Sequence, residues 1–227
     1  MTKNRIKVKN ETVHEDIFYK DQLILTYTIE YPQFHSTKYH SVVKQINTYY
    51  EVEAAKFQRY CKNSLFHAAV VQYEDSVKNG YPIHAFEAVL KDEITYIDPC
   101  TISLYFDQYE YTGGAHGNTV RYSDNWDLIT GMKLSLKELF APKVPFEVII
   151  FKQILEQIEA KNQEGTGTYF EGYDKNIMTY FNPESFYLTP KGIVIYYQQY
   201  ELAPYSSGIS EFLIPYSEQY VVRPICN

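Results

Sequence analysis

The chain has 227 residues, of which 45% are apolar and 22% charged, a composition that excludes a disordered chain and allows a core of real size. Against 28 Asp and Glu there are 21 Lys and Arg, a formal charge of −7, and with no basic stretch in the sequence this argues against a nucleic-acid backbone as partner. Aromatic residues are abundant, with 24 Tyr and 13 Phe beside a single Trp, and Tyr at this density suits strand faces, protein interfaces and stacking on sugar rings.

The first 18 residues, MTKNRIKVKNETVHEDIF, are charged throughout and lack the apolar core of a secretory signal. The expectation is either a cytoplasmic protein or one whose export segment has been replaced by a start Met. The longest apolar runs, 68–71 and 148–151, are far shorter than the roughly 20 residues of a membrane helix. Residues 22–31 alternate, placing Leu23, Leu25, Tyr27, Ile29 and Tyr31 on one side, so a half-buried strand is predicted that Pro32 ends. From Tyr39 to Leu65 the apolar residues Val42, Val43, Ile46, Tyr49, Tyr50, Ala54, Phe57, Tyr60 and Cys61 recur at steps of mainly three and four. That spacing predicts one long amphipathic helix from about Ser36 to Val77, capped by Ser36 or Thr37 and stopped by Asn79-Gly80.

A β-rich region follows. Residues 85–97 and 101–111 read as an antiparallel hairpin turning at Asp98-Pro99-Cys100, and 119–128 as a third strand. Ser135 is placed to cap a short helix, and Pro142 and Pro145 bracket a break. From Phe146, the spacing of Ile149, Ile150, Ile154, Leu155 and Ile158 predicts a second helix of four or five turns, and 165–174 reads as an aromatic loop. Residues 186–188 and 193–199 form a further strand pair around Thr189-Pro190-Lys191-Gly192, the second so uniformly apolar that it belongs at the centre of a sheet. Two more pieces flank the loop at 203–208. The class these elements imply is α+β, an antiparallel sheet with two main helices packed on it.

Three cysteines, Cys61, Cys100 and Cys226, have no C-x-x-C spacing, so at most one disulfide can form within the chain, and buried thiols are the simpler expectation. The six histidines, at 14, 35, 40, 67, 84 and 116, show no metal-ligand spacing, and neither a metal nor a cofactor is expected. In Tyr111-Thr112-Gly113-Gly114-Ala115-His116-Gly117-Asn118 three glycines within five positions allow positive φ and close backbone approach. Gly113, Gly114 and Gly117 are therefore assigned to a structural turn, not to a phosphate cradle, because no helix and no Lys follows. Ser206-Ser207-Gly208 lacks the signature of an activated nucleophile, and carboxylate pairs such as Glu201 with Glu211 or Asp124 with Asp127 need a spatial separation that spacing in the chain does not give.

Three strings together carry a resemblance: YTGGAHGN at 111–118, WDLITGMKLSLKELF at 126–140 and IVIYYQQYELAPYSSGISEFLIPY at 193–216. They resemble the bacterial domain-of-unknown-function family that forms the extracytoplasmic part of lysozyme-sensing anti-sigma factors. Related domains precede the catalytic domain of some peptidoglycan deacetylases. Residues 20–80 resemble the companion domain that usually comes first. On this basis 1–110 is expected to form a deacetylase-accessory-like region and 111–227 a domain of the anti-sigma-factor type, either as two parts or as one compact unit. The resemblance implies a non-catalytic module of the cell envelope that recognises a protein such as lysozyme, or cell-wall glycan. The binding surface is assigned to aromatic loops beside the glycine turn, with Tyr111, His116, Tyr205, Tyr169 and Tyr173 contributing. The alternative is a glycan hydrolase or esterase using His116 with a carboxylate such as Glu201.

Overall fold

A computed structural model describes residues 6–217, 219–224 and 226. The strands are β1 (Lys7–Tyr19), β2 (Gln22–His35), β3 (Phe86–Asp98), β4 (Thr101–Tyr111), β5 (Asn118–Asp127), β6 (Phe186–Thr189), β7 (Gly192–Tyr197) and β8 (Ser210–Pro215). The helices are α1 (His40–Tyr60), α2 (Phe66–Asn79), α3 (Phe146–Gln163) and α4 (Tyr173–Thr179). One sheet has the order β1-β2-β3-β4-β5 and a second the order β6-β7-β8, so the fold is α+β. The chain divides into two compact units, the first made of residues 1–93 and 106–120 and the second of 94–105 and 121–227. Strands β3, β4 and β5 therefore each give one part to either unit.

In the first unit β1 was not expected from the sequence. Its residues alternate between exposed and half-buried, and none is fully buried, so no apolar period marks it. It is held instead by antiparallel pairing with β2 from Lys7↔His35 to Tyr19↔Gln22. The two-residue turn between them has positive φ at both Lys20 (49°) and Asp21 (64°), the geometry that matches the twist of a tight hairpin. Pro32 does not end β2, which continues to His35. Pro32 pairs with Asn10 of β1, while β3 pairs only with 25–29, so the missing N–H falls where one side of the strand has no ladder. The β2–β3 pair is parallel, and the helical segment between the two strands supplies the long crossover that a parallel pair needs.

The long helical stripe lies where its period puts it. Val43, Ile46, Tyr50, Ala54 and Phe57 of α1 are buried, followed by Cys61, Leu65 and Ala69. Helical backbone is continuous from His40 to Asn79, but it is not one α-helix, because Cys61–Leu65 form a π-helical turn. The steps from Phe57 to Cys61, Leu65 and Ala69 are each four residues, which would rotate an α-helical stripe by about 40° per step. A wider turn takes up that excess and keeps the stripe on one face. The helix starts later than the sequence implied: Tyr39 occupies the cap position without a side-chain bond, and Ser36 contributes only by accepting from the Tyr39 N–H at 3.2 Å. Its stop is at Gly80, with φ 72°.

In the second unit α3 lays Ile150, Ile154 and Ile158, all fully buried, against Phe186, Leu188, Ile193, Ile195, Phe212 and Ile214 of the three-stranded sheet. All six residues of β7, the middle strand, are buried. On its other face Tyr187, Val194 and Tyr196 form a second cluster with Tyr105, Ile209 and Leu213. Ser135 caps the 3-10 turn Leu136–Leu139, with Glu138 completing a capping box. The segment expected to be a loop up to Asp174 already contains the start of α4 at Tyr173. Cys100 and Cys226 form a disulfide with Cα atoms 5.5 Å apart, so the expectation of buried thiols holds for Cys61 and not for these two.

Candidate functional site

The sequence-assigned residues divide between the units. Tyr111, His116 and the three glycines lie in the first, and Tyr169, Tyr173 and Tyr205 in the second. In the first unit His116 is exposed, and its Nδ1 is 2.9 Å from the Gly117 carbonyl oxygen, a bond within its own turn. Gly113 has φ 83°, as the turn requires. Gly117 has no room for a side chain, since a Cβ there would run into the Tyr109 ring, whereas Gly114 is unobstructed.

In the second unit Tyr169 lines a cleft of about 550 Å³, whereas Tyr173 and Tyr205 are not among the residues lining it. One wall is built by the way the chain leaves α3. The N–H groups of Thr166 and Gly167 both donate to the Lys161 carbonyl at 3.0 Å, and Gly165 takes φ 70°, so the chain folds back over the last helical turn. A bond from Phe170 N–H to the Leu202 carbonyl, 2.9 Å, then pins the returning segment. Lys161, Thr166, Thr168 and Tyr169 line this wall. The facing residues are Ser206 and Ser207, from the 3-10 turn Tyr205–Ser207, and Ser210 and Glu211 at the start of β8. Thr168 Oγ1 and Ser207 Oγ are 2.5 Å apart, which joins the two sides. Tyr173 stands beside Tyr169 with ring centroids 6.3 Å apart, and Tyr205 beside Tyr200 at 6.0 Å.

Glu211 connects the cleft to the second tyrosine cluster. Its Oε1 accepts from the Arg121 guanidinium and from the Tyr187 hydroxyl, the latter at 2.9 Å. The Arg121 side chain is only 8% exposed, with its guanidinium carbon 3.6 Å from the centre of the Tyr105 ring and 5.9 Å from that of Tyr196. The Arg121 backbone is held as well, its N–H donating to Gln198 Oε1 at 2.9 Å and its carbonyl accepting from Gln198 Nε2 at 2.7 Å. Burial, and then the charge of Glu211, push the Tyr187 hydroxyl well above its ordinary range, so it remains a donor. A buried cation stacked on aromatic rings thus fixes the direction of a carboxylate that is itself 43% exposed.

The other carboxylates singled out in the sequence have structural partners. Glu201 Oε2 accepts from the Gln198 N–H at 2.6 Å, and burial raises its pKa. Asp124 pairs with Lys133 at 2.5 Å, and Asp127 accepts from Ile129 N–H and the Thr130 hydroxyl in a tight turn. Asp98 approaches Cys100 and Cys226, but the disulfide leaves neither sulfur as a thiolate ligand. Of the aromatic residues assigned from the sequence, Tyr169 alone is among the residues lining the cleft, and Lys161, Arg121 and the hydroxyl residues were not singled out as site residues. Ser206 and Ser207 were visible only as a failed nucleophile motif, and nothing local distinguishes Lys161 from other lysines.

Comparison with known proteins places two regions. Residues 19–119 match the family described as Deacetylase PdaC, and residues 137–217 the family described as Protein of unknown function (DUF3298). A peptidoglycan-N-acetylmuramic acid deacetylase, PdaC of Bacillus subtilis, is 28% identical over 120 residues, which is 53% of this chain and 22% of that protein, so the match spans about a fifth of its length. Among solved structures, a DUF3298 family member from Bacteroides fragilis superposes with a TM-score of 0.67 at 19% identity, covering 94% of this chain and 92% of its own. A second, from Pseudomonas aeruginosa, gives a TM-score of 0.56 at 17% identity over 93% and 90%. These two likenesses establish the fold.

Proposed function

We propose, for a chain that carries a PdaC-type region followed by a DUF3298 region, the role of a non-catalytic cell-envelope module whose second unit binds cell-wall glycan. The observation that carries this reading is the lining of the cleft: hydroxyls of Thr166, Thr168, Ser206, Ser207 and Ser210, the Tyr169 ring and the held carboxylate of Glu211. Hydroxyls and carboxylates match the dense donors and acceptors of a sugar, and an aromatic ring matches its apolar face. Binding is favoured over catalysis because Glu211 is already engaged by Arg121 and Tyr187, and no His or Cys is among the described residues lining the cleft. The named activity of the Bacillus relative supports the envelope as the place of action. So does the Cys100–Cys226 disulfide, which suits an oxidising compartment. No helix among the described residues is long and apolar enough to cross a membrane.

Co-sedimentation with purified peptidoglycan tests the proposal. The protein is expected in the pellet, and Tyr169→Ala is expected to weaken retention by roughly tenfold, the loss of one well-placed aromatic contact. Protein that stays in the supernatant at micromolar concentration overturns the glycan reading. Immobilised lysozyme is the parallel arm, since a chain of charge −7 has complementary electrostatics for a basic protein, and binding there alone would replace glycan with a protein partner.

A further inference from the structure

We infer that the cleft in the second unit selects a sugar bearing a carboxylate, with Lys161 taking the anionic group and Glu211 taking hydroxyl or amide donors of the same ligand. This rests on the glycan reading and assigns the two ends of the ligand. Lys161 combines two properties: it lines the cleft, and its charge is not paired. Lys9, Lys20, Lys56, Lys62, Lys133 and Lys152 each have a carboxylate within 4 Å; Lys161, like Lys38 and Lys175, forms no ion pair among the described residues, and it is the lysine among the residues lining this cleft. Its ammonium donates to the Tyr169 hydroxyl at 3.2 Å and lies 5.9 Å and 5.6 Å from the centres of the Tyr169 and Phe212 rings. These neutral partners hold the group at the cleft without cancelling its charge. In a chain of charge −7 an anionic ligand is repelled at long range, so a local uncompensated cation is what can retain it.

Glu211 supplies the opposite chemistry. Both of its bonds, from Arg121 and from Tyr187, go to Oε1, and Oε2 has no hydrogen-bond partner among the described residues. Because Arg121 is itself fixed by Tyr105 and Gln198, the carboxylate cannot turn freely to satisfy Oε2 within the protein. Oε2 is therefore an acceptor prepared for a donor from outside. The hydroxyls of Thr166, Thr168, Ser206 and Ser207 both donate and accept, so they favour a sugar over an apolar ligand but cannot discriminate its charge. That discrimination falls to Lys161. At about 550 Å³ the cleft is of a size for a small ligand, one or two sugar rings rather than a folded protein.

Calorimetric titration of the full chain with two soluble probes separates this inference from the broader reading. One probe is the disaccharide of N-acetylglucosamine and N-acetylmuramic acid, which carries a carboxylate; the other is chitobiose, which does not. The acidic disaccharide is expected to bind about tenfold more tightly at low salt. Lys161→Gln is expected to abolish that preference, bringing the affinity for the acidic disaccharide down to that for chitobiose, and Glu211→Gln to weaken both probes. Lys152→Gln makes the same charge change on the exposed face of α3 outside the cleft and is expected to retain the preference. Equal binding of both probes, or a preference that survives Lys161→Gln, overturns the inference while the glycan reading stands. Failure of the wild-type protein to bind either probe or the polymer overturns both. Melting temperatures of the variants confirm that each is folded.

Discussion

Asp92 shows how a single residue sets a pH dependence that has nothing to do with the cleft. Its side chain is nearly buried in β3 and accepts from Asn10 Nδ2 at 3.2 Å. Burial first, and then the charges of Glu30 and Glu93, raise its pKa from 3.8 to about 6. Since the folded value is above the unfolded one, the neutral acid is what folding favours. The stabilisation is complete below about pH 4 and is lost as pH rises through 6. Asp92→Asn removes the ionisation, so its melting temperature should exceed that of the parent at pH 7 by the equivalent of about 2–3 kcal/mol, and the difference should vanish near pH 4. A difference that does not change with pH would show that Asp92 is solvated. At this scale the sequence was informative about residue type and blind to partnership. Tyr169, Tyr173 and Tyr205 stood out as aromatics in loops, and Gly113 as a turn former, because both properties are local. That Lys161 lacks a carboxylate, and that Arg121 is buried, depend on which distant residues come near.

At the scale of elements, period was the reliable signal. The stripe of α1 and α2 could be read from spacing alone, and Ile46 at its centre is fully buried. Ile46→Asp would place an unpaired carboxylate in the interface with the sheet, at a cost of several kcal/mol, so thermal unfolding monitored by circular dichroism should show a large fall in melting temperature or no folded protein. An unchanged transition would mean that the stripe does not carry the packing. What escaped was structure without a period. β1 has no buried residue and exists because β2 offers it a ladder of backbone bonds. The π turn at Cys61–Leu65 is a correction to helix geometry that the four-residue steps demanded, although the steps themselves looked helical. The C-terminal order of strand, turn and central strand was legible, since β7 is apolar at nearly every position.

For the molecule as a whole, the decisive covalent feature is the disulfide between Cys100, in the turn from β3 to β4, and Cys226, near the C-terminus, 126 residues apart. Closing so long a loop restricts the unfolded chain and contributes about 2–4 kcal/mol in typical cases. Cys226→Ser should lower the denaturation midpoint in urea accordingly, and a reductant should have the same effect on the parent but none on the variant. A parent insensitive to reductant would show that the bond does not form. Buried Cys61, whose thiol is pushed up to about 12 chiefly by burial, is not expected to react in either case.

By itself the sequence determined the α+β class, the helical stripe, the hairpin about Asp98-Pro99-Cys100, the capped turn at Ser135 and the central place of β7. Each follows from residues within a turn or two of one another, where backbone geometry maps spacing directly onto a face. Only the tertiary structure decided that Arg121 grips Glu211 across 90 residues, that Cys100 meets Cys226, and that Lys161, Tyr169, Ser207 and Glu211 share a cleft. Those meetings depend on how packed elements bring remote side chains together, and no local spacing encodes the distance between them.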